Sequence, residues 1–481
     1  MKSVALHNLG CKVNAYEMDV MQQMLQEKGY KIVSFDEQAD IYIVNTCTVT
    51  NIADRKSRQA LHRAKKRNPS AVVVAVGCYV QTGKEKVLSD EGIDLCIGNN
   101  KKKELVEILE VFLKEKEEAA EEGKKEELPE DPLTKTKKQP ECKTFHGASI
   151  IDIGHTSEYE NLTLTKTAEH TRAYIKIQDG CNQFCSYCII PYARGRVRSR
   201  KAEDILSEIR GLVKNGYQEI VLTGIHISSY GIDLSEEGTE KRDTEEERQK
   251  PKYGEEPKLL ELIKEIHKIE GLQRIRLGSL EPRIISGEFV REISGLKKVC
   301  PHFHLSLQSG CNATLKRMNR HYTAEEYYEK VGLLRRAYDH PAITTDVITG
   351  FPEETEEEFE ETRRYLEKIS FYEMHIFKYS KRQGTAAAAM KEQIPESVKQ
   401  KRSAVLLEME REQSKRFRER KIGTFTEVLF EEEKEIDGRI YQLGHTVEYI
   451  KVAKEGTEPL SNCLIGGKIA GFLSDEILLM E

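Results

Sequence analysis

Through the first 112 residues, apolar runs of strand length alternate with segments whose apolar positions recur every three or four residues. The runs beginning at Val4, Ile41 and Val72 each end at a cysteine, namely Cys11, Cys47 and Cys78, and helical patterns at Tyr16 to Lys28 and Ala53 to Arg67 separate them. Continuous apolar strands joined by helices build a parallel sheet with right-handed crossovers, whose C-terminal edge is where ligands bind. The three cysteines are therefore expected side by side on one edge. A lone strand-end cysteine is usually a small buried hydrophobe, but three at equivalent ends read as a ligand set. Cys96, inside Ile93 to Gly98, falls within a fourth strand and is expected in the core.

From 113 to 168 a Lys/Glu run leads into a stretch with Pro129, Pro132 and Pro140, a composition that buries no core and reads as a linker or variable insertion. Residues 169–395 contain six strand candidates: Ala173 to Gln178, Glu219 to Thr223, Arg274 to Gly278, Phe303 to Leu307, Ile343 to Ile348 and Met374 to Lys378. Helical stretches such as Ala202 to Val213, Leu259 to Ile269 and Thr355 to Ile369 intervene. Six β/α units are too few to close an eight-stranded barrel, so a partial (β/α)6 barrel is expected, with its site at the C-terminal strand ends. Residues 396–422 read as a basic connecting helix. Residues 423–481 alternate as strands and predict a small antiparallel β-barrel of the oligonucleotide-binding type, or else a capping or dimerisation domain. The fold class is thus α/β and multidomain.

Composition changes this picture little. In 481 residues, 38% hydrophobic and 32% charged positions suit a soluble globular protein, and no apolar run approaches a membrane span. The opening MKSVALHNLGC enters a strand pattern without a signal peptide, so a cytoplasmic location is expected. Eleven cysteines then argue for metal ligation in a reducing compartment. The formal charge of −6 disfavours nucleic acid until its distribution is read: Asp233 to Glu256 holds ten acidic and five basic residues, a net −5 in one loop, and the cations concentrate elsewhere.

Gly180 to Cys188 carries the most specific signal, Cys181, Cys185 and Cys188 in C-x3-C-x2-C spacing. Zinc usually takes two separated C-x2-C pairs. Three thiolates on a four-iron cubane leave one iron open to a substrate, whereas a ferredoxin closes all four. The spacing, with Tyr187 before the last cysteine, resembles the radical S-adenosylmethionine superfamily. Adding Gly10-Cys11-Lys12-Val13-Asn14, Asn45-Thr46-Cys47, Gly77-Cys78, Pro191 to Gly195, Tyr379-Ser380 and Gly384-Thr385, the chain resembles the methylthiotransferase family over nearly its whole length. G-C-K-V-N and the basic run after Cys188 are similar to the branch that acts on N6-threonylcarbamoyladenosine at position 37 of tRNA.

The resemblance implies a cluster domain at 1–112, a radical barrel at 169–395 and a TRAM domain at 423–481. It implies two 4Fe–4S clusters with S-adenosylmethionine. One, on Cys181, Cys185 and Cys188, generates a 5′-deoxyadenosyl radical, and the other, on Cys11, Cys47 and Cys78, carries the sulfur. An unactivated C–H bond at carbon 2 of adenine calls for such chemistry. Implied partners are the tRNA anticodon stem-loop, an electron donor such as flavodoxin or ferredoxin, and a sulfur donor, with no membrane. Tyr187, Gly224, Ser279, Glu281, Gln308 and Asp346, near strand ends, are candidate cofactor contacts or polar groups satisfied by neighbouring backbone. Arg194, Arg196, Arg198 and Arg200 are candidates for RNA phosphate, or else for structural pairing around the cluster. Asp54 to Arg67, with seven basic residues and one acid, is a second basic segment. Alternatives are the same chemistry on isopentenyladenosine or a ribosomal-protein side chain, and an iron–sulfur RNA-binding redox sensor.

Overall fold

The computed structural model describes residues 1–125, 147–166, 171–234 and 258–481. Cys142, the three linker prolines and nearly all of the acidic run Asp233 to Glu256 lie outside the described residues. The chain divides into two compact units, Met1–Leu164 with Tyr192–Gly195, and Thr165–Pro191 with Arg196–Glu481.

In the first unit, β1 (Ser3–Asn8), β2 (Lys31–Val33), β3 (Ile41–Thr46), β4 (Val72–Gly77), β5 (Leu95–Ile97) and β6 (Gly147–Ser149) form one parallel sheet in the order β2-β1-β3-β4-β5-β6. Every residue of β3 and β4 is buried, as continuous apolar runs require when both faces are covered. On one face, Met18, Met21 and Leu25 of helix Lys12–Glu27 and Leu105, Leu109 and Phe112 of helix Leu105–Lys125 pack on Ile41, Ile43, Val74 and Val76. On the other, Ala60, Leu61 and Ala64 of helix Asn51–Arg67 meet Tyr42, Val44, Val73, Ala75 and the expected core residue Cys96. The segment from 113 is less linker-like than its composition suggested. The helix of strong helix formers runs on to Lys125, β6 pairs with β5, and Leu162 and Leu164 are buried, with the Tyr16 hydroxyl donating to Leu162 O at 2.6 Å.

The second unit contains the six expected parallel strands: β7 (Arg172–Asp179), β9 (Glu219–Gly224), β10 (Arg274–Leu277), β11 (His302–His304), β12 (Ala342–Thr349) and β13 (Glu373–Lys378), with a short β8 (Arg198–Ser199) antiparallel on the β7 edge. Single parallel bridges such as Leu280 to Leu305 join the β7-β9-β10 group to β11-β12-β13. Ile175, Leu222, Ile275, Phe303, Val347 and Met374 face the surrounding helices in one core with Ile209, Ile263, Phe289, Leu334 and Leu366. The intervening strand positions face the interior of the partial barrel. Thr323 with Glu326 and Thr355 with Glu358 form complete capping boxes, fixing two helix starts just after strand-end loops.

The helix Glu396–Glu419 is built into the barrel rather than being a free basic rod. Lys399, Arg402 and Arg418 are buried, and Arg402 pairs with Glu354 at 2.7 Å. Beyond it, β14 (Phe425–Ile436), β15 (Arg439–His445), β16 (Lys451–Glu455), β17 (Leu464–Ser474) and β18 (Ile477–Met480) close a five-stranded barrel in the order β14-β15-β16-β18-β17. It docks on buried charges at the N-terminal strand ends of the larger barrel. Arg172 pairs with Glu431, Arg274 with Glu427 at 3.1 Å, and Arg276 donates to Thr446 O at 2.6 Å and Val447 O at 2.8 Å. Arg172 and Arg276 lie 4.8 and 4.9 Å from the Tyr449 ring centre. No helix among the described residues is long and apolar enough to cross a membrane.

Candidate functional site

Cys11, Cys47 and Cys78 follow the C-terminal ends of β1, β3 and β4, as the strand pattern required. Gly10, at φ +107°, makes their approach possible: a Cβ there would lie 3.0 Å from both Cβ and Sγ of Cys47. Asn14 explains the G-C-K-V-N signature. Its amide donates to Leu9 O at 2.6 Å and Thr46 O at 3.0 Å, tying the loop that carries Cys11 to the one that carries Cys47. Beneath them runs a fully buried network. The Arg194 Nε donates to Cys78 Sγ at 3.3 Å while its terminal nitrogens reach Glu17 at 2.9 and 3.0 Å and Asn14 Oδ1 at 2.6 Å. Lys102 Nζ meets Glu17 Oε2 at 2.5 Å and Asn99 Oδ1 at 2.8 Å, and Asn99 Nδ2 stands 3.5 Å from Cys78 Sγ. Two cations and one carboxylate leave an excess positive charge beside three sulfurs, which favours an anionic thiolate-ligated group there. Burial pushes the Cys47 thiol up to about 11, so an empty site holds protons that a metal group displaces on binding.

Cys181, Cys185 and Cys188 sit in the loop after β7, held by a turn in which Cys188 N donates to Cys185 O at 2.9 Å. Again a guanidinium, here half-buried, serves the sulfurs. Arg320 donates from Nη1 to Cys185 Sγ at 3.3 Å and from Nη2 to Ser306 O at 3.2 Å, and its Nε reaches the Tyr322 hydroxyl at 3.0 Å. Burial pushes Cys181 up to about 12 and raises Cys188 further. Among the described residues the group that brings three potential ligand atoms within 4.8 Å of one another is His304, Asp346 and His375, and neither cysteine triad does so. A tetrahedral zinc with Zn–S of about 2.3 Å would hold its sulfurs about 3.8 Å apart. A cubane instead gives each cysteine a separate iron corner and sets its sulfurs farther apart.

The remaining candidates are distributed unevenly. Tyr187 packs edge-on against Phe351, centroids 6.4 Å apart. Gly224 ends β9, where a Cβ would stand 3.0 Å from Gln178 O. Glu281 is buried and accepts from Arg283 Nε at 2.7 Å, whereas Ser279 is exposed. Gln308, at φ +75°, donates its N–H to Asp346 O at 2.9 Å. Asp346 lies 3.3 Å from His304 Nε2 on the barrel's inner face.

The arginine run needs correction. Arg194, Arg198 and Arg200 are each 1% exposed. Arg194 is committed to Glu17 and Cys78, Arg200 pairs with Glu208, and Arg198 donates to Arg196 O at 3.3 Å. Of the four, Arg196 reaches the surface, 4.4 Å from the Phe184 ring centre. Helix Asn51–Arg67 keeps Arg55, Lys56, Arg58, Arg63 and Lys66 exposed. Sequence reasoning missed Glu17, Asn99, Lys102 and Arg320. It also missed His226, a neutral imidazole whose buried Nε2 has no hydrogen-bond partner. Burial, then Arg320 and Arg283, hold His226 down to about 3.

Residues 3–98 match the Uncharacterized protein family UPF0004 and residues 175–366 the Radical SAM superfamily. A Bacillus subtilis chain, Threonylcarbamoyladenosine tRNA methylthiotransferase MtaB, is 36% identical over 99% of this chain and 96% of its own. A tRNA-2-methylthio-N(6)-dimethylallyladenosine synthase of Carboxydothermus hydrogenoformans is 33% identical over 97% and 96%. The radical S-adenosylmethionine methyltransferase TsrM of Kitasatospora setae superposes with a TM-score of 0.50 at 16% identity, over 78% of this chain and 73% of that one, a likeness of fold.

Proposed function

The chain belongs to the methylthiotransferase family of radical S-adenosylmethionine enzymes, in the branch acting on N6-threonylcarbamoyladenosine of tRNA, and we propose that its two cysteine triads divide the reaction between them. It is an iron–sulfur enzyme that uses S-adenosylmethionine to give the 2-methylthio product. In this reading Cys181, Cys185 and Cys188 hold the cluster for radical generation, and Cys11, Cys47 and Cys78 hold the one that delivers sulfur. When bound, a reduced 4Fe–4S cluster with an open iron supplies the electron that splits S-adenosylmethionine into methionine and a 5′-deoxyadenosyl radical.

The observation that carries the division is duplication. Each triad follows C-terminal strand ends of its own parallel sheet, and each has one guanidinium donating to one cysteine sulfur, the buried Arg194 to Cys78 and the half-buried Arg320 to Cys185. Such N–H donors stabilise the thiolate over the thiol and fix its direction. Neither cysteine needs to change its surroundings as charge on the bound group changes. Gly224, Glu281 and Gln308, around the strand ends that follow β9, β10 and β11, are the proposed contacts to S-adenosylmethionine, with Tyr187 packed beside the cysteines.

For the tRNA body we propose the exposed cations of helix Asn51–Arg67 and, separately, Arg196. Phosphate contacts of this kind position the RNA, while an unpaired anticodon-loop base is free to enter a pocket. The proposed location is the cytoplasm, with a flavodoxin- or ferredoxin-type electron donor and a separate sulfur donor. Mass spectrometry of nucleosides from tRNA treated with anaerobically reconstituted enzyme tests the activity. Wild type gives the 2-methylthio nucleoside. A Cys11, Cys47, Cys78 triple Ala variant still releases 5′-deoxyadenosine but gives no methylthio product, and undiminished product from it would refute the division.

A further inference from the structure

On the inner face of the partial barrel, His304, Asp346 and His375 converge from three adjacent parallel strands. Asp346 and His375 are direct partners in the register of β12 and β13. His304 is oriented by a contact of Nδ1 with Thr344 Oγ1 at 3.0 Å, which leaves Nε2 3.3 Å from Asp346 Oδ2. The two imidazoles stack with centroids 5.8 Å apart. Their strand neighbours Phe303, Leu305, Val347 and Met374 all belong to the outer core, so the trio is a polar patch at positions where the barrel wall faces its own lumen. It is open to solvent there: the side chains of His304 and Asp346 are 13% and 29% exposed, and His375 is exposed.

The level of the trio in the barrel is fixed by Arg320. Its guanidinium touches both Cys185 Sγ and Ser306 O. Ser306 is two residues beyond His304, about 7 Å along an extended chain. The trio therefore lies about one side-chain length deeper in the lumen than the cluster cysteines. The trio is thus within a substituent's length of a base held at that cluster.

We propose that His304, Asp346 and His375 bind the threonylcarbamoyl tail of the substrate nucleoside and select it over an apolar N6 substituent. The inference rests on the substrate reading above. The tail offers a urea N–H and a hydroxyl as donors and a carboxylate as acceptor. Asp346 is an acceptor whatever the donor, and an imidazole supplies at least one N–H in either protonation state. With His304 beside it, Asp346 keeps one oxygen for the tail N–H or hydroxyl, and the exposed His375 ring donates to the carboxylate. A dimethylallyl tail would instead bury these three polar groups without partners, the arrangement that gives sites their strongest rejection of apolar analogues.

The test uses the holoenzyme and one tRNA carrying either N6-threonylcarbamoyladenosine or N6-dimethylallyladenosine at position 37, with kcat/KM measured for each. Wild type prefers the first. In His375→Leu and in Asp346→Asn the ratio falls by about ten- to a hundredfold, mainly through KM, as loss of a hydrogen bond to a charged group implies. His375→Gln, which keeps an N–H, restores part of it. Iron content and thermal midpoint show that each variant is folded. A ratio within about twofold of wild type in both variants overturns the proposal while leaving the substrate reading intact. A wild type that prefers the dimethylallyl tRNA refutes the substrate reading itself. A wild-type preference that collapses when divalent cations are stripped on a chelating resin also overturns it, because a bridging cation would then do the recognition.

Discussion

Replacing Arg194 by Gln separates two roles that its sequence context leaves open. Removing one partner of a buried ion pair costs about 3–5 kcal/mol, because the other charge stays desolvated. Here Glu17 retains Lys102 at 2.5 Å, while Asn14 loses its 2.6 Å donor and Cys78 its 3.3 Å one. The expected loss is therefore near the lower end, about 3 kcal/mol. For a unit of this size each kcal/mol is worth about 2–4 °C, so the midpoint of the first unit falls by about 6–12 °C. Anaerobic thermal unfolding followed by circular dichroism reads this directly, and iron assay shows whether the cluster on Cys11, Cys47 and Cys78 is retained. Arg194→Lys keeps the charge without the fork and lies between the two. The slope of log tRNA affinity against log salt stays as in wild type. A midpoint within about 2 °C of wild type, together with a salt slope reduced by about one, would refute the buried role and restore the phosphate contact.

Three further outcomes follow from the same structure. Ala at Cys181, Cys185 and Cys188 together removes about half of roughly eight irons per chain if both clusters are 4Fe–4S, and full iron in that variant would sink the assignment. Arg196→Ala lowers tRNA affinity and flattens its salt slope by about one, as does Arg55→Ala, and each effect is read by titration at several salt concentrations. At the docked C-terminal barrel, burial works against the Glu431 carboxylate, but His445 and Arg172 hold it at about 2 against an ordinary 4.5. Its stabilisation is therefore present above pH 4.5 and is lost as pH falls from there toward 2, while His445, lowered by burial, adds a loss beginning as pH drops below 6.5. Glu431→Gln should flatten the acid side of the stability profile, and an unchanged profile would show the pair to be idle.

Long apolar runs made most of the architecture legible. β3 and β4 are nearly continuous apolar segments, the six strands of the second unit carry shorter apolar or alternating runs, and Thr355-Glu356-Glu357-Glu358 spells its own capping box. β2, β5 and β6 are three residues each, too short to show a period, so β2 and β6 escaped notice. Cys181, Cys185 and Cys188 were readable by their local spacing, and Cys11, Cys47 and Cys78 by their places after equivalent apolar strands. Arg194, Arg198 and Arg200 were not, because local charge density says nothing about partners such as Glu17, 177 residues away in sequence. Lys102 meets Glu17 across 85 residues and Arg320 meets Cys185 across 135, so neither pairing leaves a local trace. The C-terminal barrel was readable as a module, but its dependence on Arg172, Arg274 and Arg276 was not. Deleting it would strip partners from those buried cations, which makes point variants the cleaner probe of its surface.

The assignment of Tyr192–Gly195 to the first unit sets an order of events during synthesis. Leu164 leaves the ribosome well before Arg194, and at about 5–20 residues per second the gap is roughly 2–6 s. Through that interval Glu17 and Cys78 are present without their guanidinium. The N-terminal sheet receives its last buried partner from a residue encoded after the second set of cysteines, so its full stability comes only with synthesis of the barrel's first strand and loop. A nascent chain stalled before Arg194 should be cleaved faster in its N-terminal unit than one stalled far enough beyond it for Arg194 to clear the exit tunnel.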